Sequence, residues 1–317
     1  MEGNFIKLIL QSFKIFLNKL QTYNEIIDKK LKQNILFIMK KILAVMFFSL
    51  LMSGNSNACK KEDFTKYISA GKNKCIAMLN VGEIEKGKKN LIVFLHGDGR
   101  PNPKGQKIPK RNHIRFVEEL INDDNNTFIF ARPGYFIRES GSSEENRYSS
   151  GPRDPHKSTI KNYNWKKFRI LAPALENLRK HYKPEKLILI GHSGGAYQGG
   201  TIHGKVPGLV DINILISCPC DWELRKKLSK GKKWETKSQL KKLKNHSPSF
   251  NYQDIDPKSL NVLIVGKDDK NTPPGVSEYY YDLLKEKNKQ VKLHIIDGGH
   301  GLRSMPTIGS VVNEYIN

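Results

Sequence analysis

Six short apolar runs, almost unbroken by polar residues, set the tightest limit on what this chain of 317 residues can become. They are Leu91–Leu95, Phe128–Ala131, Leu187–Ile190, Ile212–Ile216, Val262–Val265 and Val291–Ile296. Each is too brief for a helix, rich in β-branched residues and bounded by Gly, Pro or charge. Such runs read as strands buried on both faces. Helical periodicity fills the intervals, around Ile114–Ile121, Trp165–His181, Ala196–His203, Val276–Lys287 and Met305–Tyr315. Strand alternating with helix predicts an α/β fold, a mostly parallel central sheet with helices on both faces. Cys75–Leu79 is a candidate preceding strand. Other early strands are not legible, which predicts a reduced sheet.

Two connections are long and lack apolar periodicity. Phe136–Asn162 is rich in Ser, Gly and Arg, and Cys218–Lys258 holds a lysine-dense helical piece from Asp221 to Glu235. Both leave the carboxyl ends of strands, where open α/β sheets bind ligands. Neither repeats nor a break in composition mark a second domain.

The chemistry gathers at strand ends. Leu187–Ile190 runs into Gly191-His192-Ser193-Gly194-Gly195 and then into a helix. A serine on a sharp strand-to-helix turn is strained, lifted clear of the sheet and followed by an amide at a helix N-terminus. That amide, of Gly194, can stabilise an oxyanion. The plainer alternative is a glycine turn. Leu91–Leu95 ends in His96-Gly97-Asp98-Gly99, a turn able to supply a second N–H, from Asp98 first and Gly99 next. The Asp98 side chain has no task in this reading, and the alternative is a structural turn with His96 packed beneath it. Val291–Ile296 ends in Asp297-Gly298-Gly299-His300-Gly301, where an imidazole on a glycine loop can reach a serine at a neighbouring strand end. None of the other eight of the nine histidines has that free strand-end setting. Val262–Val265 ends in Gly266-Lys267-Asp268-Asp269, leaving two aspartates to orient the imidazole.

Taken together these motifs resemble the α/β-hydrolase superfamily over about residues 74–317. The nucleophile elbow at Gly191–Gly195, the oxyanion turn at His96–Asp98, the acid after the penultimate strand and the terminal Gly-Gly-His-Gly all match, in the family order Ser–Asp–His. The family's G-x-x-D…P pattern falls on Gly266, Asp269 and Pro273, which favours Asp269 over Asp268. Arg132-Pro133-Gly134-Tyr135 is similar to the family's arginine- and glycine-bearing turn, a structural feature near the site. The resemblance implies a single hydrolase domain over 59–317 with Ser193 as nucleophile, His300 as general base and Asp269 as orienting acid. Gly194, Asp98 and Gly99 would form the oxyanion hole, with no metal or organic cofactor. The implied substrate is a small acyl compound, an ester first and then a peptide or thioester. The cationic stretch after Ile216 stands where an apolar lid would be, against a lipase.

The N-terminus adds an expectation of export. Two lysines, an apolar run from Ile42 to Met52 and a small polar stretch ending at Ala58 have the order of a signal peptide over 39–58. Cleavage after Ala58 leaves Cys59 first, which resembles a bacterial lipobox with Ser56 in place of the large aliphatic residue. Plain cleavage, to periplasm or outside, is the first reading and a lipid anchor on Cys59 the second. Residues 1–38 read as an upstream extension ahead of a true start at Met39, or else as an interfacial amphipathic helix.

With 54 Lys+Arg against 31 Asp+Glu the net charge is +23. Lysines spread along the chain read as a solvated surface. An anionic membrane surface is the alternative partner, and no nucleic-acid motif is present. The four cysteines, Cys59, Cys75, Cys218 and Cys220, lack metal-ligand spacing. Export would permit a Cys59–Cys75 bridge, whereas Cys218 and Cys220 read at least as readily as free thiols, since their bridge closes so short a loop. The rival from another class is a non-catalytic binder of anionic surfaces on a hydrolase scaffold, against which the intact Ser, His and Asp argue.

Overall fold

The computed structural model describes residues 63–98, 107–108, 111–137, 147–149, 163–229, 241 and 243–317, and Asn18 alone before them. The 1–38 extension, the 39–58 signal, Cys59 with its lipid or its bridge to Cys75, and Gly99 lie outside the described residues. In chain order the strands are β1 Tyr67–Ser69, β2 Cys75–Val81, β3 Asn90–Leu95, β4 Lys107–Ile108, β5 Asn125–Phe130, β6 Phe136–Ile137, β7 Arg147–Tyr148, β8 Lys186–His192, β9 Ile212–Ile216, β10 Leu260–Gly266 and β11 Gln290–Ile296. The helices are α1 Arg111–Glu118, α2 Trp165–Phe168, α3 Leu171–Tyr182, α4 Gly194–Lys205, α5 Trp222–Leu228, α6 Pro248–Asn251, α7 Pro274–Glu286 and α8 Ile308–Ile316.

Eight strands form one sheet in the order β1-β2-β5-β3-β8-β9-β10-β11, and β4, β6 and β7 form a small second one. From β5 to β11 all neighbours are parallel, while β1 and β2 add antiparallel pairs at one edge. The expected reduction of the sheet is therefore corrected. β1 is too short, at three residues, to show a period, and β2 runs antiparallel.

Alternation of side chains explains the unbroken apolar runs, because both faces are covered. Leu91, Val93, Leu187 and Leu189 pack with Leu171, Leu175 and Leu178 of α3. Ile92, Phe94, Ile188 and Ile190 face the other way, against Phe116 of α1 and Val312 of α8. Leu215 and Leu263 continue the first face under Val276, Tyr280 and Leu284 of α7. β11 departs from the expectation of burial on both faces. It is an edge strand, paired among the described residues with β10 alone, and none of its residues is fully buried.

The pair Cys218–Cys220 is a disulfide, the reading that the sequence left open beside free thiols. Ser217, at φ +50°, turns the chain out of β9. The cysteine Cα atoms stand 5.1 Å apart across Pro219, inside the range that a disulfide spans without backbone movement.

Helix α4 is buried all round from Gly194 to Gly204, so its sequence shows no polar stripe. A Cβ on Gly204 would overlap the Asn251 carbonyl oxygen. Gly204→Ala, by helix propensity alone a gain of about 1 kcal/mol, is expected to destabilise the fold by about 1–3 kcal/mol in urea unfolding. On the same helix His203 is fully buried, and its Nε2–H donates to Ser259 Oγ at 2.7 Å. Burial pushes His203 down to about 4 from its ordinary 6.5. The unfolded chain therefore binds the extra proton first, and stability falls as pH drops from 6.5 through 4. His203→Gln, which keeps a donor toward Ser259, should flatten the decline in urea midpoint between pH 7 and pH 5.

Candidate active site

The chain leaves β3 to one side for β5 and returns on the other as β8, so the sheet order reverses at β3 and β8. A crevice opens at such a reversal, beyond the carboxyl ends of the strands. His96–Asp98 and Ser193 stand there.

Ser193 has φ +52° and ψ −115°, a backbone state that L residues avoid. Its amide donates to the Ile216 carbonyl at 2.8 Å and its carbonyl accepts from Tyr197 N–H at 3.0 Å. The flanking glycines permit the close approach. A Cβ on Gly191 would come within 2.5 Å of Ala196 Cα, and one on Gly195 would overlap the Leu95 carbonyl oxygen. Helix α4 is thus pressed against the end of β3. The amide of Gly194 lies in its first turn, where backbone donors have no intrahelical acceptor.

His300 arrives on the loop after β11. Ser193 Oγ–H donates to its Nε2 at 2.9 Å, and its Nδ1–H donates to Asp269 Oδ2 at 2.9 Å. Asp269, not Asp268, is the acid that the structure brings to the imidazole. Its side chain is wholly buried, and its Oδ1 accepts the amides of Asn271 and Thr272, each at 2.8 Å. Thr272 Oγ1 donates to Asp269 Oδ2 at 2.6 Å. Burial pushes the Asp269 carboxyl up, but the bonds from His300 and Thr272 outweigh it and hold the group at about 2. The carboxylate is therefore charged throughout the neutral range, and the imidazole Nε2 keeps its lone pair toward the serine.

His192, between Gly191 and Ser193, contributes where the motif gave it no task. Its Nε2–H donates to the His300 carbonyl at 2.8 Å, tying the elbow to the histidine loop. Burial, then the neighbouring His300 ring, pushes His192 down to about 4, so it remains a neutral spacer near pH 7.

The Asp98 side chain corrects the expectation that it has nothing to do. Its carboxylate pairs with Arg132 and accepts the Tyr163 hydroxyl, and Tyr135 Oη lies 3.3 Å away. Desolvation raises the Asp98 carboxyl, and Arg132 with the hydroxyls more than reverses this, leaving it ionised. A Cβ on Gly194 would meet Asp98 Oδ1 at 2.7 Å, so Asp98 lies directly over the first turn of α4. His96 beneath it is fully buried, donates from Nδ1 to Gly97 O at 2.7 Å and accepts Arg132 N–H at Nε2, 3.2 Å. Gly99, the second candidate donor, lies outside the described residues.

Thr272, Asn271, His192 and Tyr163 were not singled out from sequence. Thr272 had a readable signal, since a hydroxyl three residues after an aspartate favours an Asx-type turn. The others touch the site through tertiary contacts that no spacing records. Among the described residues no group of three or more His, Cys, Asp or Glu side chains could hold a metal ion.

A model of the prolyl oligopeptidase family of peptidases matches residues 157–314. No curated protein matches the chain. Among solved structures, Pyrococcus horikoshii acylaminoacyl peptidase is similar at 19% identity and a TM-score of 0.56, over 76% of this chain and 39% of that one. The chain thus spans well under half the length of that peptidase. The Pyrococcus furiosus esterase Pf2001 is similar at 18% identity and a TM-score of 0.51, over 79% of this chain and 87% of that one. Est1E from Butyrivibrio proteoclasticus, solved with ferulic acid, gives 14% identity and a TM-score of 0.53, over 79% and 95%. At such identities the likeness is one of fold. It joins the sheet order and the elbow after β8 in a single conclusion: the chain has the α/β-hydrolase fold.

Proposed function

We propose that the chain is a serine hydrolase that cleaves small acyl substrates, carboxylic esters first, through an acyl-enzyme. One observation carries the reading: a single imidazole bonded at 2.9 Å to the elbow serine and at 2.9 Å to a buried, ionised carboxylate. In the proposed reaction His300 Nε2 takes the Ser193 proton while Oγ bonds to the acyl carbon. The amides of Gly194 and Asp98 hold the resulting oxyanion, and collapse expels the leaving group with the proton from Nε2. Water then repeats the cycle, giving its proton to Nε2 and its oxygen to the acyl carbon, and Ser193 recovers its hydrogen. Asp269 keeps the imidazole in the tautomer that can act as base.

A peptidase is the second reading, favoured by the family match over 157–314. The proposal also retains export through 39–58, and intact mass of the mature product should place its first residue at 59.

A fluorophosphonate probe should label the native chain and leave Ser193→Ala untouched. Labelling retained by Ser193→Ala would remove the serine from the mechanism. An unlabelled native chain that turns over no ester, yet is held by an anionic column in a salt-sensitive manner, would favour the binder instead. A series of p-nitrophenyl esters beside aminoacyl amides separates esterase from peptidase, with the higher kcat/KM expected on short esters. Asp269→Asn, which loses the acceptor that fixes the tautomer, should lower kcat by about three to four orders of magnitude while labelling still occurs slowly.

A further inference from the structure

The Nε2 atom of His300 has a second partner. Asn271 Nδ2 stands 2.9 Å from it, the same distance as Ser193 Oγ. The orientation of that amide follows from its other neighbour. Arg225, on α5, donates from Nε to the Asn271 carbonyl at 2.9 Å and from Nη2 to Asn271 Oδ1 at 2.8 Å. A guanidinium has no acceptor, so the amide oxygen has to face Arg225 and the nitrogen has to face His300. Arg225 is itself fixed. It is 7% exposed and lies 4.6 Å over the Trp222 ring.

Asn271 therefore acts on the base as a donor. Nε2 of a neutral imidazole offers one lone pair, and here the serine hydroxyl and the asparagine amide share it. Once Nε2 has taken the Ser193 proton it becomes a donor and faces another N–H without an acceptor between them. Asn271 has to turn aside as that proton arrives. We propose that Asn271, held by Arg225, is a latch on the general base that restrains proton transfer from Ser193 in the resting enzyme. Arg225 is the positioning residue of the pair, acting only through Asn271. The latch rests on the triad reading above. It also gives the connection after β9 a role, since α5 reaches the base through this clamp.

Asn271→Ala removes the competing donor and leaves Asp269, Thr272 and His192 in place around the ring. Its rate of labelling by a small fluorophosphonate should rise roughly two- to tenfold over the native chain, the worth of one modest hydrogen bond. Loss of a merely structural contact would slow labelling instead. Arg225→Met, which frees the amide to rotate, should raise the rate in the same direction. Should that variant fail to fold, Asn271→Ala decides alone. In the 15N spectrum of histidine-labelled protein, the His300 Nε2 resonance should move toward that of an unbonded pyridine-type nitrogen in Asn271→Ala. Labelling of Asn271→Ala at or below the native rate overturns the latch, as does an unmoved Nε2 resonance. Absence of labelling in the native chain and in every variant, with Nε2 shifted as expected, would sink the hydrolase reading and the latch with it, leaving only the contact between Asn271 and His300.

Discussion

Everything at the carboxyl edge of the sheet depends on holding Ser193 at φ +52°, a conformation costing on the order of 1–3 kcal/mol. The surroundings over-determine it. The serine amide is tied to Ile216 on the neighbouring strand, and its carbonyl begins the hydrogen bonding of α4. Gly191 lets Ala196 of that helix lie against the end of β8, and Gly195 lets the helix lie against Leu95 of β3, where any side chain would push it off. The helix in turn is sealed on all sides, with even Thr201 and His203 buried and bonded. Strain at one residue is thus balanced by packing over a whole helix. A local change in the elbow cannot relax without displacing α4.

The same edge concentrates polar groups, several of them matched to partners with a definite direction. Asp98, Arg132 and Tyr163 form one cluster, and Asp269, Thr272 and His300 form another. The Arg132 guanidinium is buried while the Asp98 side chain is 38% exposed, and desolvation of the cation offsets much of the pair's attraction. Direction is what the Asp98–Arg132 pair adds. The guanidinium is almost fully enclosed, at 1% exposure, so the carboxylate it holds cannot wander from the first turn of α4. Thr272 joins the two halves of the second cluster, donating to Asp269 Oδ2 and reaching the Ser217 carbonyl at 3.1 Å. The acid loop is thereby anchored to the exit of β9.

Periodicity made the parallel core of the fold legible. Runs such as Leu187–Ile190 are continuous because Leu and Ile alternate between two covered faces, and the positions of Ser193, Asp269 and His300 at strand ends follow from that. The parts that were not legible fail for identifiable reasons. Tyr67–Ser69 is too short for a period, and β11 carries a strand's apolar residues while standing at an edge. Cys218 and Cys220 bridge across Pro219 with Cα atoms 5.1 Å apart, a separation set by the backbone of the intervening residue that cysteine spacing does not record. The Asp98 carboxylate has partners 34 and 65 residues away, at Arg132 and Tyr163, and no local pattern encodes so distant a pairing.

Asn271 shows why motif reading stops at the triad. A spacing rule can place a serine, an acid and a histidine at three strand ends, since strands fix those ends in space. It cannot say how many donors share a lone pair, because that depends on which way an amide points. Here the orientation is imposed by Arg225, on a helix from a different connection, 46 residues earlier in the chain. Helix α5 starts where Asp221 caps it by accepting Leu224 N–H at 2.8 Å, directly after the Cys218–Cys220 bridge. The rigid exit from β9 therefore sets the helix, the helix sets the guanidinium, and the guanidinium sets the amide on the base. The cation in that chain of contacts is the buried arginine, Arg225.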